Sequence, residues 1–135
     1  GKEASANIKA EVNAVAESRP MYEQRSWGEY RVIDSCVFPD GAKALTKELI
    51  IREGCQLDYQ RHTHRGEVWT VISGTGEVVL DGLVQQVRAG SVVQIPSGTP
   101  HSARAVGGDL HVIEVQHGEI LVKEDIDRIG LFWKE

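Results

Sequence analysis

The stretch QRHTHRGE, residues 60–67, sets two imidazoles one residue apart between a carboxamide and a carboxylate. Imidazole nitrogens with carboxylate or carboxamide oxygens can hold a borderline dication such as Zn²⁺, Mn²⁺, Fe²⁺ or Co²⁺. The same residues would also suit a solvated turn. Side chains alternate along a strand, so Gln60 and His62 share a face. THRG (63–66) reads as a turn, which leaves the direction of His64 open, and Glu67 begins the next strand across the hairpin. Gln60, His62 and Glu67 can therefore converge on one point.

These side chains must be held by strands. From Tyr30 onward, short apolar stretches alternate with Gly, Pro and Asp turn signals. The pattern predicts strands over 30–38, 43–51, 56–62, 67–73, 76–81, 83–88, 91–95, 101–106 and 110–117. No helix separates them, so the sheets are expected to be antiparallel. LDGL (80–83) predicts a two-residue hairpin turn, because Asp-Gly tolerates the positive φ of a type I′ turn. Ahead of this array, Ile8, Val12, Val15 and Ala16 fall on one helical face, predicting a helix over 5–18 that ends before Pro20. The charged and then aromatic stretch 121–135 is expected to return as an edge strand or to fold over the barrel.

A chain of 135 residues, 41% hydrophobic, can bury one core without staples, which predicts a single domain. The expected organisation is an N-terminal helical extension over 1–24 and one barrel over 25–135. A net charge of −5 with no basic stripe argues against nucleic acid as a partner. No apolar run reaches the roughly 18 residues of a membrane span. No secretion signal is read at the start, so Cys36 and Cys55 are expected as reduced thiols in a cytoplasmic protein.

The spacing of the first stretch extends to a longer pattern. Gly54 is followed by five residues, then Gln60-x-His62, four residues, Glu67, six residues and Gly74. A second run reads Gly90, five residues, Pro96-x-Gly98, two residues, His101, three residues and Ala105. The two are 15 residues apart. The chain resembles the cupins, whose first motif is Gly, five residues, His-x-His, three or four residues, Glu, six residues, Gly. The match holds with Gln60 in place of the first His. Pairing His62 with His64 instead leaves seven residues after Gly54 and two before Glu67, a poorer fit at both ends. In the second motif Ala105 replaces an Asn that is not a metal ligand in the family. The resemblance implies an all-β cupin fold, a double-stranded β-helix or jelly-roll-like antiparallel barrel, here with a short N-terminal helix. It implies one divalent metal held by Gln60, His62, Glu67 and His101. Zn²⁺ is the first candidate, with Mn²⁺, Fe²⁺, Co²⁺ or Ni²⁺ as alternatives, and a degenerate cupin without metal is the competing case.

Within the cupins the chain is similar to the cupin domain of type II mannose-6-phosphate isomerases. The matching stretches include RSWGEYRVID (25–34), KELIIREG (47–54), VISGTGEV (71–78), IPSGTPH (95–101), IEVQHGE (113–119) and EDIDR (124–128). In that family a Gln-x-His pair with a Glu and a distant His binds the metal, which supports Gln60 as a ligand. The family usually carries this domain behind a sugar-nucleotide transferase domain, which this sequence does not include. The resemblance implies metal-dependent interconversion of an aldose phosphate and a ketose phosphate through an enediolate, with a dication as Lewis acid and a general base near working pH. Two alternatives stand beside it. One is a non-catalytic sugar-binding cupin. The other is a metal-dependent dioxygenase, disfavoured because that chemistry usually uses three His.

Further candidates follow from strand phase. Lys47 shares a face with Leu45, Leu49 and Ile51, which points it into the barrel as a catalytic or substrate-binding residue, or as a strand-end Lys reaching solvent. His64 is a rim residue that could touch substrate. Trp69 has the phase of Glu67 and is expected either to wall the substrate pocket or to pack as a core aromatic. On 110–117 the apolar pair Ile113 and Val115 is expected to face the core, with Glu114 and Gln116 outward. Arg104 is expected on the solvent face, and EDIDR as a solvated run. The expected partners are a sugar phosphate and a second copy of the chain as a homodimer.

Overall fold

The computed structural model describes residues 21–134, and the helix predicted over 5–18 lies outside them. Among the described residues eleven strands follow one another: β1 (Tyr22–Arg25), β2 (Gly28–Val37), β3 (Lys43–Ile51), β4 (Tyr59–Arg61), β5 (Gly66–Ser73), β6 (Thr75–Leu80), β7 (Leu83–Arg88), β8 (Val92–Ile95), β9 (His101–Ala105), β10 (Leu110–Gly118) and β11 (Asp127–Gly130). They form two antiparallel sheets, ordered β1-β2-β3-β10-β5-β8 and β11-β4-β9-β6-β7. Every predicted strand is present to within a few residues, apart from 56–62, of which only Tyr59–Arg61 is strand. Two strands escaped prediction. Tyr22–Arg25 folds back on Glu29 and its neighbours, so the barrel sheet begins ahead of the expected boundary at residue 25. Asp127–Gly130 pairs with β4, so the C-terminal stretch does return as an edge strand.

Turn chemistry fixes the register at the far end of the barrel. Asp81 has φ 48° and Gly82 φ 81°, the paired positive values that let Leu80 face Leu83 across a tight hairpin. At Gly74, between β5 and β6, a side chain is excluded twice over. Its φ is 88°, and a Cβ there would come within 2.1 Å of the Asp109 carbonyl oxygen.

The inward-facing residues change character along each strand. At one end Leu49, Ile51, Val71, Leu110, Val112, Ala103 and Ala105 pack into one apolar cluster. At the other end the same strand faces present Lys47, Glu67, Glu114, Gln116 and His101. This corrects the expectation for β10. Glu114 and Gln116 are buried and Ile113 and Val115 are only half-buried, because Leu110 and Val112 enter the core first and alternation carries their phase onward. Apolarity alone misleads here, since the strand runs from the dry end of the barrel into the polar one. Arg104 does face outward, where it pairs with Glu77 on β6 and lies over the Trp133 ring. Cys36 and Cys55 are both free thiols. Among the described residues no helix is long and apolar enough to cross a membrane.

Candidate functional site

Three buried side chains meet at the polar end. His62 follows β4, His101 opens β9 and Glu67 lies in β5, so both sheets contribute. One ligand atom from each lies within 4.8 Å of the others. Both imidazoles are oriented from behind. His62 Nδ1 lies 2.7 Å from the Asp125 carbonyl oxygen, and His101 Nδ1 lies 2.9 Å from that of Thr99. A carbonyl only accepts, so each Nδ1 carries the proton and each Nε2 presents a lone pair. Those lone pairs point toward Glu67, with His62 Nε2 at 3.2 Å from Oε2 and His101 Nε2 at 3.7 Å from Oε1. His101 Nε2 is buried and has no hydrogen-bond partner.

Arg65, which the sequence reading passed over as part of a turn, is drawn into this cluster and is 7% exposed. Its Nε donates to Glu67 Oε2 at 2.9 Å, and Nη2 donates to His62 Nε2 at 3.2 Å. The other Glu67 oxygen accepts from Trp69 Nε1 at 2.9 Å. Burial alone would raise the Glu67 pKa, but Arg65, His101 and the Trp69 hydrogen bond outweigh it and hold the carboxyl below its usual value. Burial, with Arg65 beside it, lowers the His62 pKa to about 4, so this imidazole is neutral at physiological pH.

His62, Glu67 and His101 therefore fit a divalent metal in donor type, tautomer and orientation. The unpartnered His101 nitrogen is the clearest sign, because a buried polar atom without a partner is rare in a folded interior. Arg65 holds the same two acceptors that a metal would use, so metal binding requires its guanidinium to withdraw.

A cavity of about 490 Å³ opens beside the cluster. Gln60 and His62 both line it, as strand alternation requires, and Gln60 stands directly across from His101 in the β4–β9 pair. Lys47 lines it too, its Nζ lying 4.2 Å from the Tyr30 ring centre, which bears out the inward phase of that residue. Two expected substrate contacts are placed elsewhere. His64 is exposed and off the cavity wall, because Asp125 ties its backbone N–H, and that of Thr63, to the C-terminal segment. Trp69 is buried beneath the cluster, edge-on to His101, where it orients Glu67 and does not wall the cavity.

Asp125 was read as part of a solvated run, yet its carbonyl aims His62 and its carboxylate pins the 63–64 turn. Leu121, packed with Val32 and Leu45, anchors the same segment. The only signal for Asp125 was its place in EDIDR, one of the stretches shared with the resembling family. Arg25, Lys123 and Arg128 also reach the cavity and were likewise unmarked.

The Mannose-6-phosphate isomerase C-terminal family matches residues 12–130. The chain belongs to this family. Among its relatives, the alginate biosynthesis protein AlgA of Pseudomonas putida is 36% identical over 105 residues, 77% of this chain and 21% of AlgA. The mannose-1-phosphate guanylyltransferase of Escherichia coli K12 is 33% identical over 107 residues, 78% of this chain and 21% of that protein. The chain thus spans about a fifth of the length of these relatives. Oxalate decarboxylase from Bacillus subtilis superposes with a TM-score of 0.66 at 17% identity, over 82% of this chain and 32% of that one. The capsular polysaccharide assembling protein CapF of Staphylococcus aureus gives 0.66 at 17% identity, over 87% and 34%. At such identities these likenesses concern the fold alone, and the fold of this Mannose-6-phosphate isomerase C-terminal member is a cupin.

Proposed function

We propose that the chain is a metal-dependent sugar-phosphate isomerase of the mannose-6-phosphate type, with Gln60, His62, Glu67 and His101 as the metal ligands. The observation that carries this reading is the joining of the His62–Glu67–His101 cluster to a cavity whose wall bears Arg25, Lys47, Lys123 and Arg128. A phosphorylated sugar needs both features, cations for the phosphate and a polarising centre for the carbonyl, and the wall sets these cations among the carboxyls of Glu23, Asp58, Glu114 and Glu124. A bound dication would supply Lewis-acid stabilisation of the negative charge that develops on the sugar oxygen. The chain's own cations receive the phosphate. Arg25 is held by Glu23 at 2.8 Å and Arg128 by Asp58 at 3.2 Å. These partly exposed pairs are weak, and a phosphate dianion can compete for their cations. Lys47, deeper in the wall, is poised to meet the sugar. The names of the relatives, an alginate biosynthesis protein and mannose-1-phosphate guanylyltransferases, agree with sugar-phosphate chemistry.

The test is a coupled assay for mannose 6-phosphate to fructose 6-phosphate on protein stripped of metal and reloaded with Zn²⁺, Mn²⁺, Co²⁺, Fe²⁺ or Ni²⁺. Metal-dependent turnover that His62→Ala abolishes is the expected result. One observation favours a second reading, a sugar-binding domain without turnover: Arg65 already supplies the cluster with positive charge. Calorimetric binding of mannose 6-phosphate with no metal uptake and no turnover would replace the first reading with the second.

A further inference from the structure

The cavity wall holds a second buried carboxyl that the metal cluster does not use. Glu114 is 6% exposed and lines the cavity together with His62, Arg65 and Lys47. In the antiparallel register it lies across from Lys47 on β3 and from Trp69 on β5. Its Oε2 accepts a hydrogen bond from Gln116 Nε2 at 2.7 Å. Burial raises its pKa, the charge of Glu67 raises it further, and Lys47 and Arg65 offset only part of the rise. A carboxyl buried at this depth is unfavourable unless something else requires it. Val112, two residues earlier in the same phase, shows that an apolar side chain packs well on this face.

We infer that Glu114 carries the proton between C2 and C1 of the sugar, with Lys47 as its positioning partner across the strand pair. The inference rests on the isomerase reading above. In the forward direction the Glu114 carboxylate takes the proton from C2. The C2–H electron pair becomes the C1=C2 bond, and the carbonyl pair of C1 moves to O1. The proton on O2 passes to O1. The electrons on O2 then form the C2 carbonyl, and the C1=C2 pair takes the proton back from Glu114 at C1. The aldose has become a ketose, Glu114 ends as it began, and no outside oxidant or reductant is needed. A carboxyl poised to hold a proton and to release it suits this exchange better than Glu67, whose oxygens are tied to Arg65 and Trp69.

The test compares Glu114→Gln with the full wild-type chain, both metal-loaded, in the isomerase assay run in deuterated water. General acid–base catalysis contributes roughly 10²–10⁴-fold, so kcat is expected to fall by that factor. KM and metal content should stay near wild type, and the rate at which deuterium enters C1 of the product should fall together with kcat. Lys47→Met should lower kcat less and leave deuterium entry measurable. If Glu114→Gln does not fold, Glu114→Asp serves: a carboxyl one methylene short should lower kcat at least tenfold without loss of metal. A Glu114 variant that keeps more than a tenth of wild-type kcat, with deuterium entry intact, overturns the role of Glu114 and leaves the isomerase reading standing. A metal-loaded wild type with no turnover overturns both.

Discussion

Glu67 and Glu114 sit on neighbouring strands of one sheet, β5 and β10, and both are deeply buried. Burial pushes both carboxyls up, yet the outcomes are opposite: Glu67 is held below its usual pKa and Glu114 is raised above it. The difference lies in the neighbours. Glu67 is hydrogen-bonded by Arg65 and by Trp69, whereas Glu114 is bonded by the neutral amide of Gln116 and faces the charge of Glu67. Within one barrel end, the neighbours decide which carboxyl is held as an anion and which is pushed toward its neutral form.

The sharpest way to break this contrast is to neutralise each carboxyl in turn. Glu67→Gln leaves the buried Arg65 guanidinium without its counter-charge, and removing one partner of a buried pair costs about 3–5 kcal/mol. Urea denaturation of the metal-free protein at pH 8 should give a loss of that size. Glu114→Gln under the same conditions should change stability by no more than about 1 kcal/mol, or increase it, because the ionised form is the unfavourable one there. Equal losses at the two positions would show that the carboxyls are not different in kind.

Lowering the pH tests the same contrast through His62. Its folded pKa of about 4 lies below the ordinary imidazole value of 6.5, so the folded state binds a proton less readily than the unfolded chain. Stability present above pH 6.5 is therefore lost as the pH falls toward 4, by about 3 kcal/mol at 1.36 kcal/mol per unit. The lowered Glu67 adds to the loss at the acid end, while the raised Glu114 works the other way, gaining stability as it takes up its proton. Urea midpoints of the metal-free protein from pH 8 to 4 should fall, more steeply in Glu114→Gln and less steeply in His62→Asn. An unchanged slope in His62→Asn would mean that another group controls the acid limb.

Much of this was legible in the sequence, for identifiable reasons. Alternation and turn residues located the strands, and Asp81-Gly82 forms the hairpin its chemistry demands. Motif spacing found His62, Glu67 and His101, which the fold brings together. Strand phase sent Lys47 inward correctly, yet an apolar-inside rule sent Glu114 and Gln116 the wrong way. That rule presumes a uniform interior, whereas the inward face of β10 changes from apolar Leu110 and Val112 to polar Glu114 and Gln116. Arg65 and Asp125 were missed for another reason. Their partners are 60 or more residues away for Asp125 and lie around a turn for Arg65, where neither strand nor helix periodicity fixes a side chain's direction.

Arg65 gives a further handle. Its guanidinium holds the acceptors a metal would use, so metal binding competes with its hydrogen bonds. A hydrogen bond to a charged group contributes about 1.5–3 kcal/mol, which corresponds to about 10–100-fold in affinity. Arg65→Met should therefore bind Co²⁺ at least tenfold more tightly in equilibrium dialysis, while the metal-free variant is less stable than wild type. Equal or weaker Co²⁺ binding would mean that Arg65 supports the metal-loaded site and does not compete with it.

Asp125 should give the smallest effect, because it acts on the cluster from outside. Its carboxyl, held below its usual pKa by the backbone N–H groups of Thr63 and His64 against the effect of burial, ties the C-terminal segment to the turn that carries His62. The bond to His62 itself comes from the Asp125 main chain, which any substitution keeps. Asp125→Ala should therefore cost about 1–2 kcal/mol, as two hydrogen bonds pass to water, and should weaken metal binding by about tenfold as the turn beside His62 loosens. Asp125→Asn keeps one acceptor oxygen and should fall between the two. If Asp125→Ala lowers stability but leaves metal affinity untouched, the imidazole is aimed by its own strand and the C-terminal segment serves only to close the barrel. If both fall together, a segment that read as solvated is part of the frame that aims His62.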